Sequence, residues 1–337
     1  MSSPAPLRQF SPNDFELRFA LMPIHLINPM WDGSGGSEWR TISLFSLLAE
    51  ETEVRIWSEY TPDRALAGKV PISEMMRLGA HPTSGTLVFV GCYFEIGRWI
   101  SKAQPSRVIL VYNVPAPHQL YARIAELQSY GVTNIEIVFS SELIASTVDL
   151  PGRVERSPID LSRFEPSGET TEFIVGRHSR DVEDKFAPDE LAFVASQPYS
   201  FRYLGGTILA RQASAPQNLT ILPNGTITPE AFLNSISCFF YRTHPAWTES
   251  YGRVVIEAMA AGLPCVLERR HGYAEIVEDG KTALLFDTAE EAKDCLLRLS
   301  TDSKVRAEIG KAARESILQQ YRDTTRETVA YYLGSEA

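Results

Sequence analysis

Two doubly wound α/β domains facing a central cleft are predicted by three observations. The chain has 337 residues, too many for one small domain and about right for two of roughly 150. Short apolar runs alternate with longer amphipathic ones, the pattern of a parallel sheet with crossover helices. The alternation begins afresh after a Pro-, Ser- and Gly-containing interval at 158–168. In such sheets ligands sit at the carboxyl ends of the strands, and clefts between domains are common ligand sites.

The first set of apolar runs predicts strands at 19–28, 54–59, 87–92, 108–112 and 135–139, with helices at 37–50 and 117–130 between them. The second set predicts strands at 172–176, 200–204, 219–222, 237–241, 264–267 and 283–286. Its helices fit 188–196, 229–235, 251–261 and 289–300, and two more, 303–321 and 323–333, close the chain. The expected domains are 1–164 and 165–319, with the last helix, about 320–337, packing back on the first.

Composition narrows the function classes. The chain is 44% hydrophobic and 22% charged, as ordinary globular proteins are, which excludes a fully disordered chain. Net charge is -10; 14 basic and 18 acidic residues lie up to Glu165, and 18 and 24 beyond it. Two acidic halves give no support for a nucleic-acid partner and no electrostatic reason for tight binding to anionic lipid. The four cysteines form no C-x-x-C pair, so reduced thiols are expected rather than a zinc site or a disulfide scaffold. The first fourteen residues carry no basic-then-apolar signal, and no apolar run approaches the ~18–20 residues that span a bilayer. The expectation is a soluble cytoplasmic protein with at most peripheral membrane contact.

Three segments could carry chemistry. Asp32-Gly33-Ser34-Gly35-Gly36-Ser37-Glu38 follows the first strand and opens a helix. Glycines there allow close backbone approach, and a helix N-terminus presents free N–H groups to an anion. The third glycine of a dinucleotide fingerprint is Glu38 here, which disfavours an NAD-dependent oxidoreductase. Gly176-Arg177-His178-Ser179-Arg180, with Lys185 beyond, offers cations for a diphosphate, although Asp181, Glu183 and Asp184 lie among them. The third segment, 249–264, reads as a helix capped by Ser250, ended by Gly262 and kept closed by Pro264. Its Glu249 and Glu257 stand eight residues apart, roughly 12 Å along one helix. That separation suits two polyhydroxylated groups with a diphosphate between them. Glu257 sits among Val254, Val255, Ile256, Ala258 and Met259, where a carboxylate is costly without a partner or ligand.

Glu249 to Glu257 followed by Ala258-Met259-Ala260-Ala261-Gly262-Leu263-Pro264 resembles the E-x7-E signature of retaining GT-B glycosyltransferases, especially glycosyltransferase family 4. Gly35-Gly36 resembles that family's N-terminal glycine loop, and Gly176-Arg177 with Lys185 resembles its G-R…K element. Ser157-Pro158-Ile159-Asp160 with Phe164 is similar to its interdomain stretch, without the glycine. Gly272 to Gly280 with Ala283 to Phe286 is similar to its G-x-x-E-I-V-x-D-G end, with Ala283 where the last glycine falls.

The resemblance implies two Rossmann-like domains and transfer of a sugar from a nucleotide-diphosphate donor to an acceptor hydroxyl, on a sugar, a lipid-linked molecule or another acceptor. It implies no metal and no further cofactor, and the chain has no D-x-D pair to hold a metal. Glu257 would hold the donor ribose and Glu249 the transferred sugar. Arg177, Lys185 and the N–H groups of Ser250, Tyr251, Gly252, Arg253 and Val254 would bear on the diphosphate. Thr226 and Ile227 would border the base, and Gly35 and Gly36 would face the diphosphate from the other domain. Either Asn113 or His118 would take the N-terminal sugar-contacting role. Lys185 is followed by Phe186 where the family has glycine, and Arg180 is an alternative cation. Two other readings remain open from sequence: a nucleotide-sugar epimerase, which would need further acid/base groups, and a non-catalytic nucleotide-sugar-binding subunit.

Overall fold

The computed structural model describes residues 22–75, 79–92, 96–166, 172–212 and 214–334. The leading fourteen residues, the first part of the strand expected at 19–28, and positions 167–168 of the expected interval lie outside them.

The first sheet contains β1 (Ile24–Ile27), β2 (Val54–Ser58), β3 (Ile72–Glu74), β4 (Thr86–Val90), β5 (Arg107–Tyr112), β6 (Ile135–Phe139) and β7 (Arg153–Val154). Its order is β3-β2-β1-β4-β5-β6-β7. The second contains β8 (Ile174–His178), β9 (Ser200–Leu204), β10 (Leu219–Leu222), β11 (Cys238–Tyr241), β12 (Cys265–Glu268) and β13 (Leu284–Phe286), in the order β10-β9-β8-β11-β12-β13. Every registered pair is parallel. The residues explain why: β4 (Thr-Leu-Val-Phe-Val) and β11 (Cys-Phe-Phe-Tyr) are buried along their whole length, as strands covered on both faces must be. Strand order reverses between β1 and β4 in one sheet and between β8 and β11 in the other. Those two reversals are where a doubly wound sheet opens a crevice at its carboxyl edge.

Three expectations change. The edge strands β3 and β7, of three and two residues, were not anticipated. The interval at 158–166 is partly packed, since Ile159, Leu161 and Phe164 are buried in the core of the second sheet. The two closing helices are one, Ser303–Leu333, of 31 residues, with the Asp302 side chain accepting from the Val305 N–H at its start. A ladder of buried residues runs along it through Ile309, Ala313, Ile317, Tyr321, Thr328 and Tyr332, and carries it from one sheet to the other.

That helix ties the halves together. Tyr321 donates to the Ser157 carbonyl at 2.9 Å and meets the Tyr251 hydroxyl. Further along, Arg107 donates to the Tyr331 carbonyl at 2.6 Å and stacks on the Tyr331 ring. Tyr332 donates to Glu155, which also pairs with Arg40 at 2.6 Å. Arg40 and Glu155 are almost wholly buried. Removing one member of such a pair strands the other charge away from water. Glu155→Ala should therefore lower unfolding free energy by about 3–5 kcal/mol, read by urea denaturation. Lys281→Ala, which breaks the exposed Lys281–Glu278 pair, should change it by no more than about 0.5 kcal/mol.

Candidate active site

The carboxyl ends of β1, β5, β8 and β11 empty into one cleft of about 920 Å³. From the first sheet come the Trp31–Arg40 segment and Asn113; from the second, His178–Arg180, Lys185, Asn224–Pro229 and Ala246–Val254 with Glu257.

At its centre Lys185 is paired with Glu249. Lys185 is 6% exposed and stands over the Trp247 ring, 4.4 Å from its centroid. The same Glu249 oxygen, Oε2, also accepts from the Tyr241 hydroxyl at 3.0 Å and the Trp247 indole N–H at 3.4 Å. Burial pushes the Glu249 carboxyl up, but Lys185, the Tyr241 hydroxyl and His271 together outweigh it and its pKa lies below the ordinary carboxylate value. Burial holds Lys185 below the ordinary lysine value, more than Glu249 raises it. From beneath, the Glu249 backbone N–H donates to His271 Nδ1 at 3.0 Å. His271 Nε2 lies 3.1 Å from Glu268 and 3.0 Å from the Thr243 hydroxyl. Nδ1 accepts, so the ring proton sits on Nε2 and points toward Glu268.

The Glu249–Glu257 helix needs correction. Helix begins only at Arg253 and runs to Ala260, capped by Gly252 rather than by Ser250. Glu249 therefore lies in the loop before the helix, and the 12 Å spacing along one helix does not apply. Gly252 has φ +78, and a Cβ there would meet the Tyr273 ring at 2.4 Å, so glycine is required on both counts. Ser250, Tyr251, Gly252, Arg253 and Val254 all line the cleft. First-turn N–H groups such as those of Arg253 and Val254 have no intrahelical acceptor and face an anion favourably. Glu257 is buried; its Oε1 accepts from Arg253 Nε at 2.8 Å, and its Oε2 lies 3.9 Å from His178 Nδ1.

Arg177 is placed differently from expectation. It is fully buried and lies outside the cleft lining, donating to the carbonyls of Lys185 and Arg242. Its guanidinium is stacked between Phe186 and Tyr241, at 4.3 and 4.6 Å, with Glu190 at 3.5 Å. Successive residues of a strand face opposite ways. Arg177 takes the Phe186 side of β8 and His178 the cleft side. Arg177 is thus a positioning residue for Lys185, and the cation at the cleft wall is Arg180, which reaches Asp32 of the first sheet's loop at 3.4 Å.

On the facing wall Gly35 caps the Gly36–Leu48 helix, and both Gly35 and Gly36 line the cleft. The Glu38 carboxylate lies over Gly35, where a Cβ would meet Oε2 at 2.0 Å. Burial raises the Glu38 pKa, although Ser37 donates to it at 2.8 Å. His118 is exposed on the first turn of the Pro117–Ser129 helix and lies outside the cleft lining. Asn113, after β5, lines the cleft, and its buried Oδ1 has no hydrogen-bond partner among the described residues. Of the two alternatives, the structure brings Asn113 to the site. Thr226 and Ile227 lie at the second-domain end of the cleft. Among the described residues no cluster of three or more His, Cys, Asp or Glu could hold a metal ion, and no helix is long and apolar enough to cross a membrane.

Two parallel doubly wound sheets with both reversals on one cleft make this a GT-B fold. Residues 209–316 match the family model described as glycosyl transferases group 1. The structure is similar to that of Anabaena HepE in complex with UDP and glucose, with TM-score 0.72 and 15% identity over 93% of this chain and 99% of that one. It is also similar to sucrose-phosphate synthase from Thermosynechococcus elongatus, with TM-score 0.67, 16% identity, and 92% and 98% coverage. Among curated proteins, sulfoquinovosyl transferase SQD2 of Arabidopsis thaliana is 30% identical over 145 residues, 40% of this chain and 26% of that protein. The N-acetyl-alpha-D-glucosaminyl L-malate synthase of Bacillus anthracis is 36% identical over 76 residues, 22% and 20% of the two chains. The matched stretch thus spans about a quarter or less of these two curated relatives.

The support beneath Glu249 joins residues far apart in the chain and left no mark in its spacing. Burial would raise the Glu268 carboxyl, but His271, the Thr243 N–H and Arg270 outweigh it and hold its pKa at about 2, against an ordinary 4.5. A carboxyl depressed in the fold stabilises above its unfolded pKa and loses that contribution as pH falls toward the folded one. The stability advantage of wild type over Glu268→Gln should be full above pH ~5 and vanish between about pH 4.5 and 2, with a total on the order of 2 kcal/mol. Urea denaturation across that range reads it.

Proposed function

We propose that the protein is a retaining glycosyltransferase of the family 4 type, moving a sugar from a nucleotide-diphosphate donor to an acceptor hydroxyl in polysaccharide or glycoconjugate synthesis. The observation that carries this reading is the convergence of Lys185, Arg180, Glu249, Glu257 and the Arg253 helix N-terminus on one cleft between two strand-order reversals. The likeness to HepE, whose structure holds UDP and glucose, and the group 1 family match over 209–316 support it.

In this reading the nucleoside lies against Thr226, Ile227 and Glu257, and the diphosphate crosses the N–H groups of Gly252 to Val254. Lys185 and Arg180 stabilise the negative charge that grows on the diphosphate as the anomeric C–O bond breaks. Each is held by a carboxylate in the free protein, Glu249 and Asp32, so the donor exchanges one anionic partner for another. Glu249, freed from Lys185, accepts from hydroxyls of the transferred sugar. Asn113 addresses the sugar from the first domain. The acceptor oxygen bonds to the anomeric carbon on the face the leaving group departs, and its proton passes to the leaving phosphate oxygen. Closure of the domains keeps out water that would hydrolyse the donor. No metal or further cofactor is assigned a role, and the protein works in the cytoplasm, with a lipid-linked acceptor as its link to a membrane.

Titration calorimetry with UDP, GDP and ADP should find one that binds, weakened about tenfold or more in Glu257→Ala. With UDP-glucose, GDP-mannose and ADP-glucose, the matching donor should be slowly hydrolysed with retention at the anomeric carbon. Lys185→Ala should slow that about 10²–10³-fold. Binding of none of the three diphosphates overturns the reading. An inverted product overturns retention, and an epimerised donor points to the epimerase instead.

A further inference from the structure

We infer that Trp31 and Tyr60 form a stacking shelf at the mouth of the cleft, which holds the second sugar ring of a saccharide acceptor. The inference rests on the glycosyltransferase reading above and adds the class of acceptor to it.

The shelf begins with strained backbone. Met30 has φ +54, a left-handed conformation that few residues besides glycine and asparagine adopt. Its side chain is buried in a core of the first sheet, and the next residue, Trp31, is turned outward. The turn is braced from several sides. Buried Asn28 donates through Nδ2 to the Val90 carbonyl at 2.9 Å and accepts from the Met30 N–H at 2.9 Å. The Met30 carbonyl accepts from the Asp63 N–H at 2.8 Å. The buried Ser58 hydroxyl lies 2.6 Å from the Pro29 carbonyl and 2.7 Å from the Tyr60 carbonyl, tying the loop of Trp31 to the loop of Tyr60. Strained backbone persists where its surroundings over-determine it, and it gathers at functional sites.

The braced turn presents a pair of rings. Trp31 is 49% exposed and Tyr60 47%, with centroids 5.2 Å apart and planes tilted by 35°. Single exposed apolar side chains are ordinary; these two touch each other, and Trp31 lines the cleft. An aromatic face is electron-rich. A pyranose has a face of C–H bonds with slightly positive hydrogens, so the two stack while the hydroxyls keep to the edge of the sugar. Asp32 and Glu59, which flank the rings in sequence, are carboxylates that accept from such hydroxyls. The same carboxylates oppose an anionic lipid surface.

Position separates the shelf from the transferred sugar. Trp31 follows β1 and Tyr60 follows β2, whereas Asn113 follows β5. In the order β2-β1-β4-β5 that is two to three strand spacings, ~10–14 Å along the carboxyl edge. A sugar addressed by Asn113 does not reach so far. The acceptor ring that it joins lies between, and the ring after that one meets Trp31.

The test is nucleotide release from the donor found above, with gluco-, galacto- and manno-configured disaccharides and the matching methyl glycosides as acceptors. It is run on wild type, Trp31→Ala, Trp31→Phe and Tyr60→Ala. In wild type at least one disaccharide should show a KM about tenfold below that of its methyl glycoside. Trp31→Ala should remove most of that advantage and Tyr60→Ala part of it, while Trp31→Phe, which keeps a ring face, should retain most of it. The Kd of the nucleoside diphosphate should stay within about twofold in all three. Melting midpoints near that of wild type show that the variants fold. No response to any disaccharide, or an advantage that Trp31→Ala leaves intact, overturns the inference and leaves the donor reading standing. A diphosphate Kd weakened as much as the disaccharide KM also overturns it, by assigning Trp31 to the donor. Flotation with vesicles of phosphatidylcholine and phosphatidylglycerol that Trp31→Ala loses, without a saccharide advantage, assigns the shelf to a membrane instead. Failure of UDP, GDP and ADP to bind wild type overturns the donor reading and this one together.

Discussion

An ammonium buried between a carboxylate and an indole face sets the terms for the whole cleft. Lys185 is held by Glu249 and stands over Trp247. A lysine so enclosed keeps its charge only with an anion beside it. The protein provides that anion itself and then builds a second layer to fix both partners. Arg177 grips the Lys185 carbonyl from below, and the Glu268–His271 pair grips the Glu249 N–H. Arg177 in turn is offset by Glu190, which accepts from Tyr203 at 2.7 Å. In the proposed function the anion that faces Lys185 is the element exchanged, and a diphosphate suits that exchange because it brings more negative charge than the one carboxylate it would displace.

The crossover helix, Ser303–Leu333, gives this arrangement its mechanical setting. It packs on the Arg253–Ala260 helix in one half and reaches the Gly36–Leu48 helix in the other. Both of those helices open on the cleft. On the opposite rim Glu275 of the second half accepts from the N–H groups of Glu142 and Leu143 in the first, at 2.9 and 2.7 Å. Arg180 and Asp32 make a third, looser contact between the walls. The contacts grade from the buried Arg40–Glu155–Tyr332 cluster to this half-buried pair.

Much of the fold was legible because its signals are strong. Apolar runs such as Leu87–Val90 and Phe239–Tyr241 read as covered parallel strands, and the restart after 158–168 marked the second sheet. The edge strands β3 and β7 were not legible, since two or three residues carry no period. The closing helix was divided at Arg322-Asp323 because charge interrupts its apolar run; the buried ladder continues across the gap from Tyr321 to Thr328 as the helix passes between sheets. At the site, the residue types in the 249–257 segment were legible but not its shape. The helix begins at Arg253, four residues after Glu249, and sequence spacing alone cannot distinguish loop from helix there. Arg177 misled because a motif does not say which face of a strand a side chain takes. His178, next to it in the same strand, takes the opposite face and lines the cleft. His271 and Glu268 left no signal, since their link to Glu249 is purely tertiary.

The proposed function requires the Lys185 ammonium to trade Glu249 for a diphosphate. A crystal structure with the best-binding nucleoside diphosphate decides this. Phosphate oxygens are expected on Lys185 Nζ and on the Arg253 and Val254 N–H groups, with Glu249 turned away from Lys185. A diphosphate seated elsewhere, with the Lys185–Glu249 pair intact, rules the exchange out.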